Sequence, residues 1–153
     1  MGENSRNQAR RFKELKKLKS RNPFALFSEK TILVVDDSDM NNSVIKAILE
    51  RYGVSVPLAQ NGVDAVEQFK QSEPNSICAI LMDIAMPVMD GCEAAKKIRA
   101  LERADSPKIP IIAVTASVDS CNKEKILACG MTDFLAKPIN PELLLSTIGA
   151  HLV

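Results

Sequence analysis

From residue 31 onward, short apolar runs alternate with longer segments in which apolar residues recur every three or four positions. The runs at residues 31–35, 54–59, 77–82, 109–114 and 132–136 read as strands. Residues 77–82, Ile-Cys-Ala-Ile-Leu-Met, have no polar alternation and suit a strand buried on both faces. The periodic segments predict helices over 39–52, 63–71, 91–103, 119–128 and 141–152. In the first of these Val44, Ile45, Ile48 and Leu49 form the inward stripe, and Gly53 stops the helix. The third places Lys96, Lys97 and Arg99 on its wet face, and Cys129-Gly130 ends the fourth. Asn61-Gly62 marks a turn. Five strands alternating with five helices imply an α/β fold: a doubly wound parallel sheet with right-handed crossovers and helices on both faces.

The first thirty residues follow a different pattern. Ala9, Phe12, Leu15 and Leu18 recur every third position in a polar, basic stretch, which predicts an amphipathic helix over 2–20 with a narrow apolar stripe. That stripe is thin for membrane binding and fits a solvated linker helix or the end of a coiled coil better. Arg21-Asn22-Pro23 breaks the helix, and Phe24-Ala25-Leu26-Phe27 is placed to fold back onto the domain. The expected division is a basic extension, 1–30, and a compact domain, 31–153.

Charge sharpens this division. Residues 1–30 hold nine Lys/Arg against three Glu, or +6, and residues 31–153 hold eleven against sixteen Asp/Glu, or −5. An acidic compact part argues against nucleic-acid binding through residues 31–153. Cys78, Cys92, Cys121 and Cys129 show no C-x-x-C spacing, and the single His151 lies near the end, which disfavours a zinc site. Such scattered thiols fit a reducing cytoplasm better than a disulfide framework. No apolar run reaches membrane-spanning length, so the expectation is a cytoplasmic domain, compatible with a membrane-anchored parent.

Polar residues stand at the strand ends. Asp36-Asp37 follows the first strand, Asp83 the third, Thr115 the fourth and Lys137 the fifth. In a parallel sheet these ends share one edge, the edge where open α/β sheets bind ligands. Asp83 could merely cap the next helix, but that helix begins near Gly91, too far along the chain. Three carboxylates meeting there repel one another unless a cation relieves them, and hard oxygens with room for water suit Mg²⁺. Carboxylate, lysine, hydroxyl and metal together describe phosphoryl transfer. Asp83 is the candidate nucleophile, and Mg²⁺ and Lys137 neutralise charge on the phosphoryl oxygens.

Val34-Val35-Asp36-Asp37, the tract from Met82-Asp83 through Met86-Pro87-Val88-Met89-Asp90-Gly91, Val114-Thr115-Ala116 and Phe134-Leu135-Ala136-Lys137-Pro138 occur in the order and spacing of a known family. Residues 31–153 resemble a receiver domain of two-component response regulators, most closely the receivers of hybrid histidine kinases. The resemblance implies the flavodoxin-like strand order 2-1-3-4-5 and Asp83 as phosphoacceptor. It implies Asp37, Asp83 and the Ala85 backbone carbonyl as direct Mg²⁺ ligands, with Asp36 acting mainly through water. It further implies a cis Lys137-Pro138 bond, and Thr115 and Phe134 as switch residues. The implied partners are a histidine kinase or a histidine-phosphotransfer protein docking near Asp83 and the first domain helix. A homodimer through the fourth helix, fifth strand and last helix is also compatible. Ala85 departs from the polar or larger side chain many members of that family carry there, and Ser117 offers only a short hydroxyl on the other side, so Ala85 is expected to help set the lifetime of the phosphorylated state.

Other classes fit less well. An aspartate-nucleophile phosphatase expects Asp-x-Asp after the first strand, whereas the acids here are adjacent and the nucleophile follows the third. No Gly-rich phosphate loop follows any strand, which disfavours a flavin or nucleotide binder. A phosphate-independent interaction domain has no need of all five polar residues.

Overall fold

A computed structural model of the chain describes residues 6, 7, 10, 23–116 and 120–152. Apart from Arg6, Asn7 and Arg10, the expected basic helix over 2–20 lies outside the described residues, as does Ser117. The elements run α1 (Pro23–Phe27), β1 (Ile32–Val35), α2 (Asp39–Glu50), β2 (Leu58–Ala59), α3 (Gly62–Gln71) and β3 (Ala79–Asp83). They continue with α4 (Gly91–Ala100), β4 (Ile111–Thr115), α5 (Ser120–Ala128), β5 (Asp133–Ala136) and α6 (Pro141–Leu152). All strand pairs are parallel, in the order β2-β1-β3-β4-β5.

Strand alternation divides the core into two layers. Leu33, Val35, Ile80, Met82, Ile111 and Ala113 point to one face, where Phe69 of α3, Ala94 and Ile98 of α4 and Ile126 of α5 cover them. Ile32, Val34, Leu81, Ile112 and Val114 point to the other, under Phe27 of α1, Ile45 and Leu49 of α2, and Leu144 and Ile148 of α6. Both sheet faces are dry, so the three central strands need apolar residues at every position rather than every second one. Phe27 is fully buried and its ring lies 6.1 Å from that of Tyr52, so the segment before the first strand does fold back onto the domain.

Several expectations need correction. The second strand shortens to two residues because Pro57 has no N–H to give to a ladder. The β1 amides still reach Ser55, Pro57 and Ala59 carbonyls, which suits an edge position. Val44 is not inward but half exposed. The sheet-facing stripe of α2 is instead Asn42, Ile45 and Leu49, with the Asn42 amide donating to the Asp36 carbonyl at 2.9 Å. The helix expected over 91–103 ends at Ala100, since Leu101 turns extended.

Arg99 leaves the wet face. Its guanidinium donates to the Gly130 and Ser106 carbonyls, both at 2.9 Å, and burial lowers its pKa. The cysteines also differ from expectation, because Cys92 of α4 and Cys129 after α5 are disulfide-bonded, with Cα atoms 5.3 Å apart. Thirty-seven residues separate them in sequence, so no local motif could announce the pair.

Candidate functional site

The carboxyl edge of the sheet gathers the polar residues through strand register. Val35 pairs with Met82, Asp83 with Val114 and Thr115 with Ala136, so the residues that follow β1 and β5 emerge beside Asp83. The Asp36 amide donates to Ala59 at 3.1 Å and the Lys137 amide to Thr115 at 2.8 Å, which extends the ladder into the site. The Lys137–Pro138 bond is cis.

Asp36, Asp37 and Asp83 each present an oxygen within 4.8 Å of the others. Lys137 Nζ bridges two of them, at 3.3 Å from Asp36 and 3.4 Å from Asp83. Asp36 is further held by the Ser38 amide at 2.8 Å and the Asn41 side-chain amide at 3.3 Å. Ser38 in turn caps α2 through the Asn41 amide, so the helix start and the acid pocket share one turn.

The electrostatics are unbalanced. Burial, then the charge of Asp36, pushes the Asp83 carboxyl up to about 6, although Lys137 and a hydrogen bond from the Ala85 amide pull the other way. Burial pulls Lys137 down, but the charges of Asp83 and Asp36 outweigh it and raise its pKa. Three carboxylates and one ammonium leave an excess of negative charge in a mostly buried place. Its donors are all hard oxygens, a set that matches a small divalent cation.

The loop after Asp83 is shaped by backbone constraints. The Gly91 amide donates to the Ile84 carbonyl at 3.0 Å, and a Cβ on Gly91 would collide with the Asp83 carbonyl. Asp90 then caps α4 by accepting from the Glu93 amide at 2.8 Å. Val88 lies between, at φ +69° and 88% exposed, an uncomfortable conformation for a β-branched side chain.

A cavity of about 400 Å³ opens beside the acids, between β4, α4 and α5. Its lining includes Asp37, Asp83, Ala85, Thr115, Lys137 and Lys125. Thr115 is buried at the end of β4, and Phe134 is half-buried on β5 with the Lys123 ammonium 5.3 Å from its ring centre. The structure thus brings Asp36, Asp37, Asp83, Ala85, Thr115 and Lys137 together, and leaves Phe134 on the neighbouring strand. Sequence reasoning missed the supporting polar shell of Ser38, Asn41 and Asn42. Asn42 left a signal, a polar residue in register with the buried Ile45 and Leu49.

Comparison with known proteins agrees with this geometry. The family model described as response regulator receiver domain matches residues 32–149. "Hybrid signal transduction histidine kinase I" of Dictyostelium discoideum is 41% identical over 123 residues, covering 79% of this chain and 7% of that protein. "Signal transduction histidine-protein kinase BarA" of Escherichia coli is 45% identical over 114 residues, covering 74% of this chain and 12% of that protein. The chain therefore spans only a small part of the curated relatives it matches.

Among solved structures, the receiver domain of a Pseudomonas aeruginosa sensor histidine kinase superimposes with a TM-score of 0.73 at 36% identity. The match covers 82% of this chain and 98% of that one, whose active-site cleft holds a coordinated magnesium ion. The receiver domain of Ssk1 from Saccharomyces cerevisiae, solved with the histidine phosphotransfer protein Ypd1, gives 0.65 at 32% identity over 74% of this chain and 81% of that one. With its strand order, its edge acids and these matches in agreement, the chain belongs to the response regulator receiver domain family.

Proposed function

We propose that Asp83 is the phosphoacceptor of a histidine-to-aspartate phosphorelay. The observation that carries this is the Asp36–Asp37–Asp83 cluster with Lys137 bridging Asp36 and Asp83 at one sheet edge. An Asp83 oxygen attacks the phosphorus of a phosphohistidine as the P–N bond breaks. The product is an acyl phosphate on Asp83, and the imidazole leaves with a proton. Lys137, already within 3.4 Å of Asp83, follows the phosphoryl group and offsets its charge.

The residues present fit Mg²⁺, which Asp37, Asp83 and the backbone carbonyl of Ala85 would hold. When bound, the ion neutralises charge on the phosphoryl oxygens. Asp36 suits an outer role, since Ser38, Asn41 and Lys137 already engage both of its oxygens. Thr115 hydrogen-bonds a phosphoryl oxygen once it arrives, and Phe134 reports that change on the face of α5, β5 and α6. The Ala85 side chain cannot orient water, so hydrolysis of the acyl phosphate is slow and self-catalysed only weakly.

A second surface supports a phosphotransfer partner. Met40, Val44, Ile45, Pro138 and Ile139 line an apolar concavity that also includes Lys137. Met40 is 76% exposed, which is unusual for a large apolar side chain beside a charged site. A histidine-phosphotransfer helix laid there sets its imidazole beside Asp83. We read residues 31–153 as the receiver and residues 1–30 as a basic extension anchored through Leu26 and Phe27, acting on the cytoplasmic side of a longer signalling protein.

The test is intact mass after incubation with acetyl phosphate and Mg²⁺. The expected result is a phosphoryl adduct in the wild type that requires Mg²⁺, is lost in mild base, and is absent from Asp83→Asn. An adduct that persists in Asp83→Asn assigns the wrong acid. No wild-type adduct while Mg²⁺ binds favours a constitutive docking module.

A further inference from the structure

Cys92 and Cys129 lie on the wall of the cavity that Asp83 and Thr115 also line. Cys92 stands in the first turn of α4, and Cys129 directly follows α5. Both are nearly buried, at 8% and 4% exposure, so the cavity is their route to solutes. Their Cα separation of 5.3 Å falls within the range a disulfide spans without moving the backbone. α4 is also fastened to the segment after α5 by weaker links, among them the Arg99 hydrogen bonds to the Gly130 carbonyl at 2.9 Å and to Thr132 at 3.2 Å. Cys78, by contrast, is a free thiol at the far end of β3.

We propose that Cys92 and Cys129 form a redox-responsive site, whose disulfide locks α5 to α4 and fixes the shape of the cavity beside Asp83. The oxidant is a small disulfide of the glutathione class. One cysteine thiolate attacks a sulfur of that disulfide and expels one thiol. The second cysteine thiolate then attacks the resulting mixed disulfide and expels the other. The protein loses two protons and two electrons, and the small disulfide becomes two thiols. A reducing compartment keeps such a bond transient, which makes it a sensor rather than a scaffold.

The direction of the effect follows from the arrangement. The bond ties α4 to the turn after α5 across the wall of the cavity, so it opposes any rearrangement in which α5 moves to close that cavity around a phosphoryl group on Asp83. This regulatory consequence rests on the reading of Asp83 as phosphoacceptor, whereas the lock itself does not.

The experiment uses the full chain equilibrated across ratios of reduced to oxidised glutathione, then alkylated and mapped by mass spectrometry. Cys92 and Cys129 should be protected together at the oxidising end and modified together at the reducing end, with Cys78 modified throughout. Hydrogen exchange over Ser120–Ala128 should slow on oxidation, and phosphorylation by acetyl phosphate should slow by about tenfold, a usual strength for coupled sites. Both effects should vanish in Cys92→Ser and, separately, in Cys129→Ser.

Independent modification of the two thiols at every ratio overturns the proposal. So does a disulfide that forms without changing exchange in α4 or α5, or one that leaves the phosphorylation rate of a working receiver unchanged. Redox-dependent exchange with no phosphoryl adduct in either state supports the lock and removes the phosphoacceptor reading instead.

Discussion

The two edges of the sheet hold similar groups in opposite conditions. At the carboxyl edge, Asp36, Asp37 and Asp83 share one ammonium, and Asp83 is pushed up to about 6. At the amino edge, Asp105 is also buried, but Arg103 grips both its oxygens at 3.0 Å and the Asn75 amide adds a third bond at 2.9 Å. Burial pushes Asp105 up, yet these hydrogen bonds and the Arg103 charge outweigh it and hold its pKa below the usual value. Arg103 is satisfied in turn. It donates to the carbonyls of Phe69 and Ser72 and lies 4.4 Å from the Phe69 ring centre. One edge is closed by its own contacts, and the other is left with charge for a ligand to neutralise. The first arrangement serves stability, and the second is the one the proposed phosphoryl transfer uses.

Substitution can break that contrast. Arg103→Ala strands a buried carboxylate and releases the turn after α3, so urea denaturation should show a loss of about 3–4 kcal/mol with phosphorylation otherwise intact. Lys137→Ala should abolish detectable phosphoryl transfer, with a stability loss smaller than that of Arg103→Ala because the lysine side chain is itself 28% exposed and borders an open cavity. Equal stability losses in the two variants would erase the distinction between the edges.

The pH dependence sharpens it. Asp83 has a folded pKa above its unfolded value of 3.8, so its contribution to stability is complete below pH 3.8 and is lost as pH rises through about 6. Asp83→Asn should therefore stabilise the metal-free chain at pH 8 by about 1–2 kcal/mol, with the gain gone by pH 4. Asp105 works the other way. Its contribution is present above the unfolded value of 3.8 and is lost as pH falls below it. Calorimetric titration should also show Mg²⁺ affinity falling as pH drops through about 6, because protons compete for Asp83. An affinity flat from pH 8 to 5 would place the ion elsewhere.

Two smaller effects test the loops around the acids. Ala85→Asn adds a side chain able to hydrogen-bond water beside Asp83, and should change the half-life of the acyl phosphate by several-fold; an unchanged half-life removes Ala85 from that role. Val88→Gly relieves a left-handed conformation at an exposed site and should raise stability by about 0.5 kcal/mol, without altering phosphorylation. A loss of stability there would mean that the valine side chain makes contacts worth more than the strain.

Much of the acidic edge was legible in the sequence. Hydrophobic periodicity locates strands, and parallel strands share one carboxyl edge, so Asp36, Asp83, Thr115 and Lys137 had to converge whatever the loops did. The start of α4 near Gly91 was legible for a related reason, since a helix start is a local event.

The remaining features depend on how helices rotate and how loops return, which no local period encodes. Whether Val44 or Asn42 faces the sheet is a matter of one step around α2. Arg99 looked like one of three solvated cations, and only the nearby turn at Gly130 claims it. The Arg103–Asp105 clasp needs carbonyls from the end of α3, more than thirty residues away. Cys92 and Cys129 meet because α4 and α5 cover the same face of the sheet, a juxtaposition that packing alone creates. Short-range patterning thus determined where the chemistry stands, and long-range packing determined what surrounds it.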